Sequence, residues 1–408
     1  MTVKVSKPKF NIREKLSELD KPSGVKGNQL LRSETAQDAR NVIGAGRKNK
    51  VINGAMVISQ RGTSFSGIGG NTGDNYTLDR FKLQTNLLDQ AVATVTQDSS
   101  APDGFSKSLK IQCTTAETSV EDSEHARLMY DGEAFDFTDV GFGTKSAKRI
   151  TVSFWVKSNI TGTWGMNFWR GDANRSNLRT YTINSANTWE HKVITLSADT
   201  TGGVVNNDNG HGFRLNWGLA TGANFATSHD LDTWHGFQQQ YFYPYESRNT
   251  NFFSSTSNTF YLTGVQCEVS DVATEFEHRP YAEELALCQR YFTIFPGRSG
   301  GIPYWQAYMG SSDGYCSVPI PHNMRVVPTP TDATTGTSSS SGNLYNDLGT
   351  HINSRFAGGG TVTLSCGGYA PSGLGLIMNF GAHQSGDKNG VVASWNGAVP
   401  GIFLDAEL

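Results

Sequence analysis

Apolar and polar residues alternate with a period of two in many short stretches, which are separated by turns rich in Gly, Asn and Asp. In the stretch 150–157 (ITVSFWVK), the even-numbered residues are all apolar and three of the four odd-numbered ones are polar. This alternation is typical of a strand with one buried face. Nine segments before residue 280 are predicted as strands: Tyr76–Leu83, Ser108–Cys113, Arg127–Tyr130, Ile150–Lys157, Gly165–Trp169, Thr180–Ile183, Glu190–Leu196, Gly212–Gly218 and Thr259–Val269.

A second β-rich region follows Phe292. Thr329–Gly342 is rich in Ser, Thr and Gly and is predicted to be an exposed loop. Six short strands are predicted in this region: Tyr304–Met309, Tyr315–Val318, Thr361–Cys366, Gly375–Phe380, Gly390–Trp395 and Ile402–Ala406.

Helical periodicity is confined to three short stretches. Asn11 and Glu14 resemble a capping box at the start of a helix over Ile12–Leu19, and Ser33 can cap a second helix that runs through Val42. In the third stretch Pro280 suits a first helical position, and Leu285, Cys288 and Phe292 lie on one apolar stripe. A short helix is therefore predicted over residues 281–292.

These patterns predict a mainly β protein with four parts. Residues 1–50 form a short helical arm, and 51–280 an antiparallel jelly-roll sandwich. Residues 281–292 form a linker helix, and 293–408 a small distal domain that resembles a second β-sandwich.

Composition supports many short strands and polar turns. Charged residues are 17% of the chain, and 45 of the 408 residues are Gly. The net charge of −3 gives no nucleic-acid signature, and no apolar stretch is long enough to span a membrane. The start of the chain has no apolar segment of the kind found in a secretory signal. The five cysteines are odd in number and form no CxxC pair, so we expect buried thiols, no metal site and no cofactor.

Charge is distributed unevenly along the chain. Residues 1–50 contain 12 Lys and Arg against 5 Asp and Glu, a net charge of +7, which leaves −10 for the rest. Their two helices have too little apolar surface to fold alone. Two interpretations stay open: a disordered basic tail, or an arm that becomes ordered on an acidic partner.

Four sequence motifs resemble appendage proteins of tailed bacteriophages. FYLTGVQCEV (260–269) followed by FEHRPYAEELALCQRYF (276–292) resembles the end of a jelly-roll domain in tail fibres of these phages. VINGAMVISQRG (51–62) resembles the opening of that domain, and YTLDRF (76–81) resembles another of its elements.

The resemblance implies a tail fibre of a marine podophage. Such a fibre is a virion protein of the phage tail, made in the host cytoplasm and assembled as a homotrimer. Its amino-terminal arm would attach to adaptor or nozzle proteins of the tail, and its distal end would bind a glycan or another receptor on the host surface. A knob or adaptor protein of the tail is the alternative within this class. The resemblance supplies no catalytic residues, and the apolar arm residues that would dock are Ile12, Leu16, Leu19, Leu31 and Val42.

Aromatic residues among short polar ones are the candidates for glycan binding. An aromatic ring can pack on the apolar face of a sugar, while Asn, Asp and Arg bind its hydroxyl groups. Trp164 and Trp169 have such neighbours in the jelly roll, as do Trp305, Asp313 and Asn396 in the distal region. For any one aromatic residue, packing in the core is the more frequent role.

Two further chemistries are weighed against simpler explanations. The turn Asn206–His211 offers oxygen ligands for calcium, although a plain turn explains it better. Asp131, Glu133, Asp136 and Asp139 could supply the carboxylate pair of a polysaccharide depolymerase, but acidic turns give the same pattern. We therefore expect a binding protein rather than an enzyme.

Overall fold

A computed structural model describes residues 47–296, except 71, 87, 229, 238–242, 245–246 and 248–249, and then only segments. Those segments are 305–309, 314–319, 323–326, 328–332, 362–368, 374–380, 392–393 and 401–408. The chain divides into two compact units, Met1–Lys50 and Val51–Leu408. The predicted helices of the arm lie outside the described residues. The finer boundaries within Val51–Leu408 stay predictions.

Two antiparallel sheets make up most of the described residues. The strands before residue 270 are β1 (Ser64–Gly69), β2 (Gly73–Tyr76), β3 (Phe81–Asn86), β4 (Val92–Asp98), β5 (Ser108–Thr115), β6 (His125–Glu133), β7 (Ile150–Ser158), β8 (Gly162–Arg170), β9 (Arg175–Ile183), β10 (Glu190–Leu196), β11 (His211–Thr221), β12 (Ala226–Thr227), β13 (Trp234–Gly236), β14 (Tyr243–Pro244) and β15 (Thr259–Glu268). The six-stranded sheet has the order β1-β4-β5-β15-β7-β10, and the seven-stranded sheet has the order β13-β9-β8-β11-β6-β3-β2. Short strands β12 and β14 pair in parallel, and 3₁₀ helices occupy Ala134–Val140, Ala223–Phe225 and Phe252–Ser254.

The core lies between these two sheets. Val152, Phe154 and Val156 of β7 reach it from the six-stranded sheet, as their alternation predicts. Leu128 and Trp217 reach it from the seven-stranded sheet. The mainly β, antiparallel sandwich predicted from the sequence is therefore confirmed, and the alternate residues of each strand form two outer faces.

One helix and eight further strands follow. The helix α1 spans Tyr281–Gln289, and the strands are β16 (Phe292–Pro296), β17 (Trp305–Met309), β18 (Gly314–Pro319), β19 (Thr329–Asp332), β20 (Val362–Gly368), β21 (Leu374–Phe380), β22 (Val392–Ala393) and β23 (Gly401–Asp405). They form sheets of order β16-β23-β19 and β20-β21-β18-β17-β22. The predicted helix is therefore too long at its end, because Phe292 pairs with Asp405 as a strand residue. The predicted exposed loop is also wrong at its start, because residues 329–332 form β19.

Three of the motifs that carry the resemblance meet at one place, which we call the joint. Asn53 of the first motif donates its backbone N–H to Glu284 of α1, and Gln60 donates its backbone N–H to Asp79 of YTLDRF over 2.6 Å. Arg279 of the HRPY sequence donates to the Val51 carbonyl over 3.2 Å. The motifs thus have a structural role in holding the first residues of the jelly roll against α1.

Two arginines hold the last residues of the chain against the joint. Arg61 lies 3.7 Å above the Phe292 ring and pairs with Glu407 over 3.3 Å. Arg80 lies 3.4 Å from the Tyr291 ring centroid and also pairs with Glu407. Residues 405–408 are therefore bound to the jelly roll.

Three thiols are described in the structure. Cys113, Cys267 and Cys288 are buried thiols, as the odd cysteine count predicts. Burial raises the pKa of the Cys113 thiol to about 11. No helix among the described residues has the length and hydropathy needed to cross a membrane.

Candidate functional site

A row of three charged side chains with an aromatic side chain at each end crosses the outer face of the seven-stranded sheet. Arg214 of β11 lies opposite Asp131 of β6 on one side and opposite Trp169 of β8 on the other. On the next strands Lys82 of β3 pairs with Asp131, and Tyr76 of β2 lies opposite Lys82. Directly opposed residues of neighbouring strands project to the same side, and Lys82 lies opposite Met129, two residues before Asp131 on β6, so all five side chains share one face.

Asp131 is the electrostatic centre of this row. Its carboxylate is 1% exposed and accepts from both Arg214 and Lys82, with a distance of 2.7 Å to the Lys82 ammonium. Burial alone would raise its pKa, but the charges of Arg214 and Lys82 outweigh burial and hold the pKa well below its usual value. Asp131 is therefore a fixed anion that orients Arg214.

Trp169 forms one aromatic end of the row. Its ring is half-buried and lies 4.9 Å from the Arg214 guanidinium carbon, which fixes the ring by a cation–π contact. The indole N–H donates to Asn174 over 3.2 Å, and the His211 ring lies 5.8 Å away. We call Trp169, Asn174, His211 and Arg214 the Trp169 cluster; it combines an accessible ring with polar groups.

His211 is the titratable group of this cluster. Its Nδ1 lies 3.5 Å from Asp131, and its side chain is 31% exposed. Burial lowers the pKa of His211, and Arg214 and Lys82 lower it further, although Asp131 opposes them. The imidazole is therefore neutral at pH 7 and can both donate and accept a hydrogen bond.

The other parts of the same face are covered by protein. Tyr76 and Lys82 both donate to the carbonyl oxygen of Leu408, the latter over 3.1 Å. In the middle of the sheet the Tyr243 ring lies on Gly218, where an added Cβ would come within 2.9 Å of it. Leu408 thus occupies the Tyr76 end of the row, while Trp169 at the other end is half-buried.

The predicted glycan residues have different positions. The prediction for Trp164 is corrected: its side chain is 0% exposed and packs in the core against Phe260, with ring centroids 5.3 Å apart, so its faces are covered. Trp169 lies at the surface cluster described above. Trp305 begins β17, and its side chain is not described. Asp313 and Asn396 lie outside the described residues, as do the arm residues Ile12, Leu16, Leu19, Leu31 and Val42.

Sequence reasoning missed His211, Arg214 and Lys82 as neighbours of Trp169. A signal was present in GFRLNWG (212–218), where Arg214 and Asn216 alternate with apolar residues and must face away from the core. The pairing of β11 with both β6 and β8 was not evident, since 83 residues separate Asp131 from Arg214.

Carboxylates that could hold a cation lie elsewhere. Asp89, Glu117 and Glu124 bring one oxygen each within 4.8 Å of one another. Glu117 and Glu124 also accept backbone N–H groups, from Ala91 over 3.0 Å and from Glu121 over 2.6 Å. The carboxylates of Glu117 and Glu124 therefore stabilise their loops through hydrogen bonds that need no bound ion.

The turn weighed as a calcium site and the acidic residues weighed as a carboxylate pair have simpler roles. In the turn, Asp208 accepts the Gly210 N–H over 2.9 Å, which is an ordinary Asx turn. Glu133 accepts two bonds from Arg290, of 2.7 and 2.8 Å. Asp131 and Glu133 are both held by arginines, and the lowered pKa of Asp131 does not suit a general acid.

Comparison with known proteins yields remote structural similarity. No family model matches the chain, and no curated protein matches it. The enzymatically active domain of tailspike protein 4 of bacteriophage CBA120 is 12% identical with a TM-score of 0.28, over 54% of this chain and 21% of that one. The chain thus spans about a fifth of that tailspike chain.

Two smaller proteins match over their whole length. A Bacteroides thetaiotaomicron protein, provisionally described as sugar-binding, is 10% identical to this chain with a TM-score of 0.30. The match covers 55% of this chain and 100% of that one. The carbohydrate-binding module TmCBM61, solved with β-1,4-galactotriose, is 8% identical with a TM-score of 0.27 over the same shares. Similarity of this degree does not say what this chain binds.

Proposed function

We propose that the chain is a virion attachment protein, a tail fibre that binds a glycan of the host surface through the Trp169 cluster. One observation carries the glycan part: a half-buried indole, fixed by Arg214, borders the partly exposed imidazole of His211. A sugar ring can stack on the indole while its hydroxyl groups bond to His211 and Arg214.

The tail-fibre part rests on the sequence motifs. The motifs at 51–62, 76–81 and 278–292 meet at the joint, so their resemblance to fibre proteins concerns one structural unit rather than scattered matches. Residues 1–50 would anchor the chain to adaptor or nozzle proteins of the tail, and the fibre would be a homotrimer. Trp305, Asp313 and Asn396 stay predictions for a second glycan contact in the distal region.

The test is binding of the full-length protein to immobilised lipopolysaccharides and capsular polysaccharides of marine bacteria. We expect Trp169→Ala to weaken binding to the recognised glycan by about tenfold or more, because the stacking surface is lost. Phe135→Ala is the control, since Phe135 is 48% exposed and lies outside the Trp169 cluster. Unchanged binding by Trp169→Ala would refute this site.

The same polysaccharides can be used to test whether the chain is an enzyme. We propose that it binds without cleaving, because Asp131 and Glu133 are held by Arg214 and Arg290. Incubation with the bound polysaccharide should release no new reducing ends. Their release would make the chain a depolymerase, whatever the outcome for Trp169.

A further inference from the structure

The outer face of the six-stranded sheet carries an aromatic ring between two lysines. Tyr261 of β15 lies opposite Lys110 of β5 and opposite Lys157 of β7, so the three side chains form a row across adjacent strands. The Lys157 ammonium is 4.0 Å from the Tyr261 ring centroid, and the Lys110 ammonium is 5.6 Å from it. The Trp189 ring lies 6.0 Å from Tyr261 and 5.0 Å from the Lys157 ammonium.

A second row continues this surface. Trp155 of β7 lies opposite His191 of β10, with ring centroids 5.1 Å apart. The His191 side chain is exposed, while Trp155, Trp189 and Tyr261 are half-buried. We call Lys110, Trp155, Lys157, Trp189 and Tyr261 the cation–aromatic face.

Packing of the sandwich does not require these side chains. Their strand neighbours Ile111, Val156 and Leu262 point the other way and fill the core. Among residues 47–296 as described, neither Lys110 nor Lys157 has a carboxylate within ion-pair distance; Lys157 donates instead to the Ser100 hydroxyl over 2.7 Å.

The two ammonium groups therefore add positive charge to one surface. Burial lowers the pKa of Lys157, the charge of Asp98 opposes this effect, and the charge of Lys110 adds a smaller lowering of its own. An anion placed between the two lysines would relieve this repulsion. The rings beside them offer flat apolar surface for the rest of the same ligand.

We propose that the cation–aromatic face binds an anionic polysaccharide, whose sugar rings stack on Tyr261 and Trp189 and whose carboxylates pair with Lys110 and Lys157. This face belongs to the sheet opposite the Trp169 cluster. The two sites therefore share no residue and can be tested separately.

The probe is sodium polygalacturonate, and its carboxyl-reduced form serves as the uncharged counterpart. We expect the full-length protein to bind the acidic polymer at low ionic strength, to lose most of this binding in about 1 M salt, and to bind the reduced polymer at least about tenfold more weakly. Equal binding of the two polymers would overturn the proposal.

Substitutions test whether polygalacturonate binds at the cation–aromatic face. The double substitution Lys110→Gln with Lys157→Gln should weaken polygalacturonate binding about tenfold, whereas the Arg versions, which keep the charge, should retain it. Lys145→Gln with Lys148→Gln is the matched control, because it removes two exposed lysines from the loop before β7.

Two results would refute the proposal. One is polygalacturonate binding that survives the Lys110 and Lys157 Gln substitutions in a folded protein. The other result combines two observations: the full-length protein does not bind polygalacturonate, and Tyr261→Ala changes its sedimentation coefficient. That combination would make the face an interface between copies of the chain. Neither result depends on whether Trp169 binds a glycan.

Discussion

Asn53 shows how one side chain can fix the joint. Its φ of 61° lies in the left-handed region, which Asn tolerates better than most residues. Its buried amide donates to the Ile58 carbonyl over 2.8 Å and to the Asp79 carbonyl over 2.9 Å, and accepts the Ile58 N–H over 2.9 Å. One residue therefore closes its own turn and links two motifs.

The substitution Asn53→Ala should lower the free energy of unfolding by about 3 kcal/mol, because buried backbone groups lose their partners and Ala is strained at this φ. Asn187→Ala is the matched control: Asn187 has a φ of 58°, but its side chain is exposed. We expect a loss of only about 1 kcal/mol there, from backbone strain alone. Denaturant unfolding measures both, and equal losses would mean that the Asn53 amide bonds contribute nothing.

The alternation of apolar and polar residues along a strand predicts which side chains face the core and which face outwards, and no more than that. In WGMNFWR (164–170), Trp164 shares its face with Met166 and Phe168, whereas Trp169 lies on the other face. The period of two therefore separates the core tryptophan from the surface one. It could not supply Arg214, since that contact depends on which strands are neighbours.

At the scale of an element, a bulge in β15 lies next to Trp155 of the cation–aromatic face. The register shifts between Thr263 and Gln266, where Gly264 has a φ of 61°. A Cβ at Gly264 would lie 2.7 Å from the Phe105 ring and 2.9 Å from the Trp155 ring. Glycine is thus needed both for the conformation and for the space under these rings.

The substitution Gly264→Ala should cost more than the backbone strain alone. Gly67 lies in a comparable bulge of β1 with a φ of 74° and has nothing within 4 Å of an added Cβ. We expect Gly67→Ala to cost about 1 kcal/mol and Gly264→Ala about 3 kcal/mol, since the second also displaces two rings. Thermal unfolding of the two variants checks the difference, and equal shifts of Tm would contradict the steric part.

The elements themselves were largely predictable, but some of their ends were not. Ile150–Ser158 matches the predicted strand to within one residue, because its alternation is strong. The helix α1 was predicted to reach Phe292, whose spacing from Leu285 and Cys288 fits a helical stripe. Pairing with β23, from more than 100 residues later in the chain, ends it earlier.

For the whole molecule, contacts between residues far apart in the chain limit what the sequence can predict about the fold. The joint combines residues near 53, 80, 284 and 407, and no local pattern connects positions so far apart. Glu407 compensates the charge of Arg80, which is buried against Tyr291 and Tyr130. The sequence could predict two β-rich regions, but not that residues 405–408 return to the first one.

The amino-terminal arm provides a test of the proposed role at the largest scale. Val51–Leu408 is a compact unit with its own core, so deletion of residues 1–45 should leave Tm nearly unchanged. The deletion removes a net charge of +4 out of the +7 and all the apolar residues expected to dock, so the shortened protein should no longer enter phage particles. Full-length Leu16→Ser with Leu19→Ser is the companion variant, because it keeps the length and the charge of the arm and removes two of its apolar residues. Immunoblots of purified particles measure incorporation, and normal incorporation of the shortened protein would show that the anchor lies elsewhere in the chain.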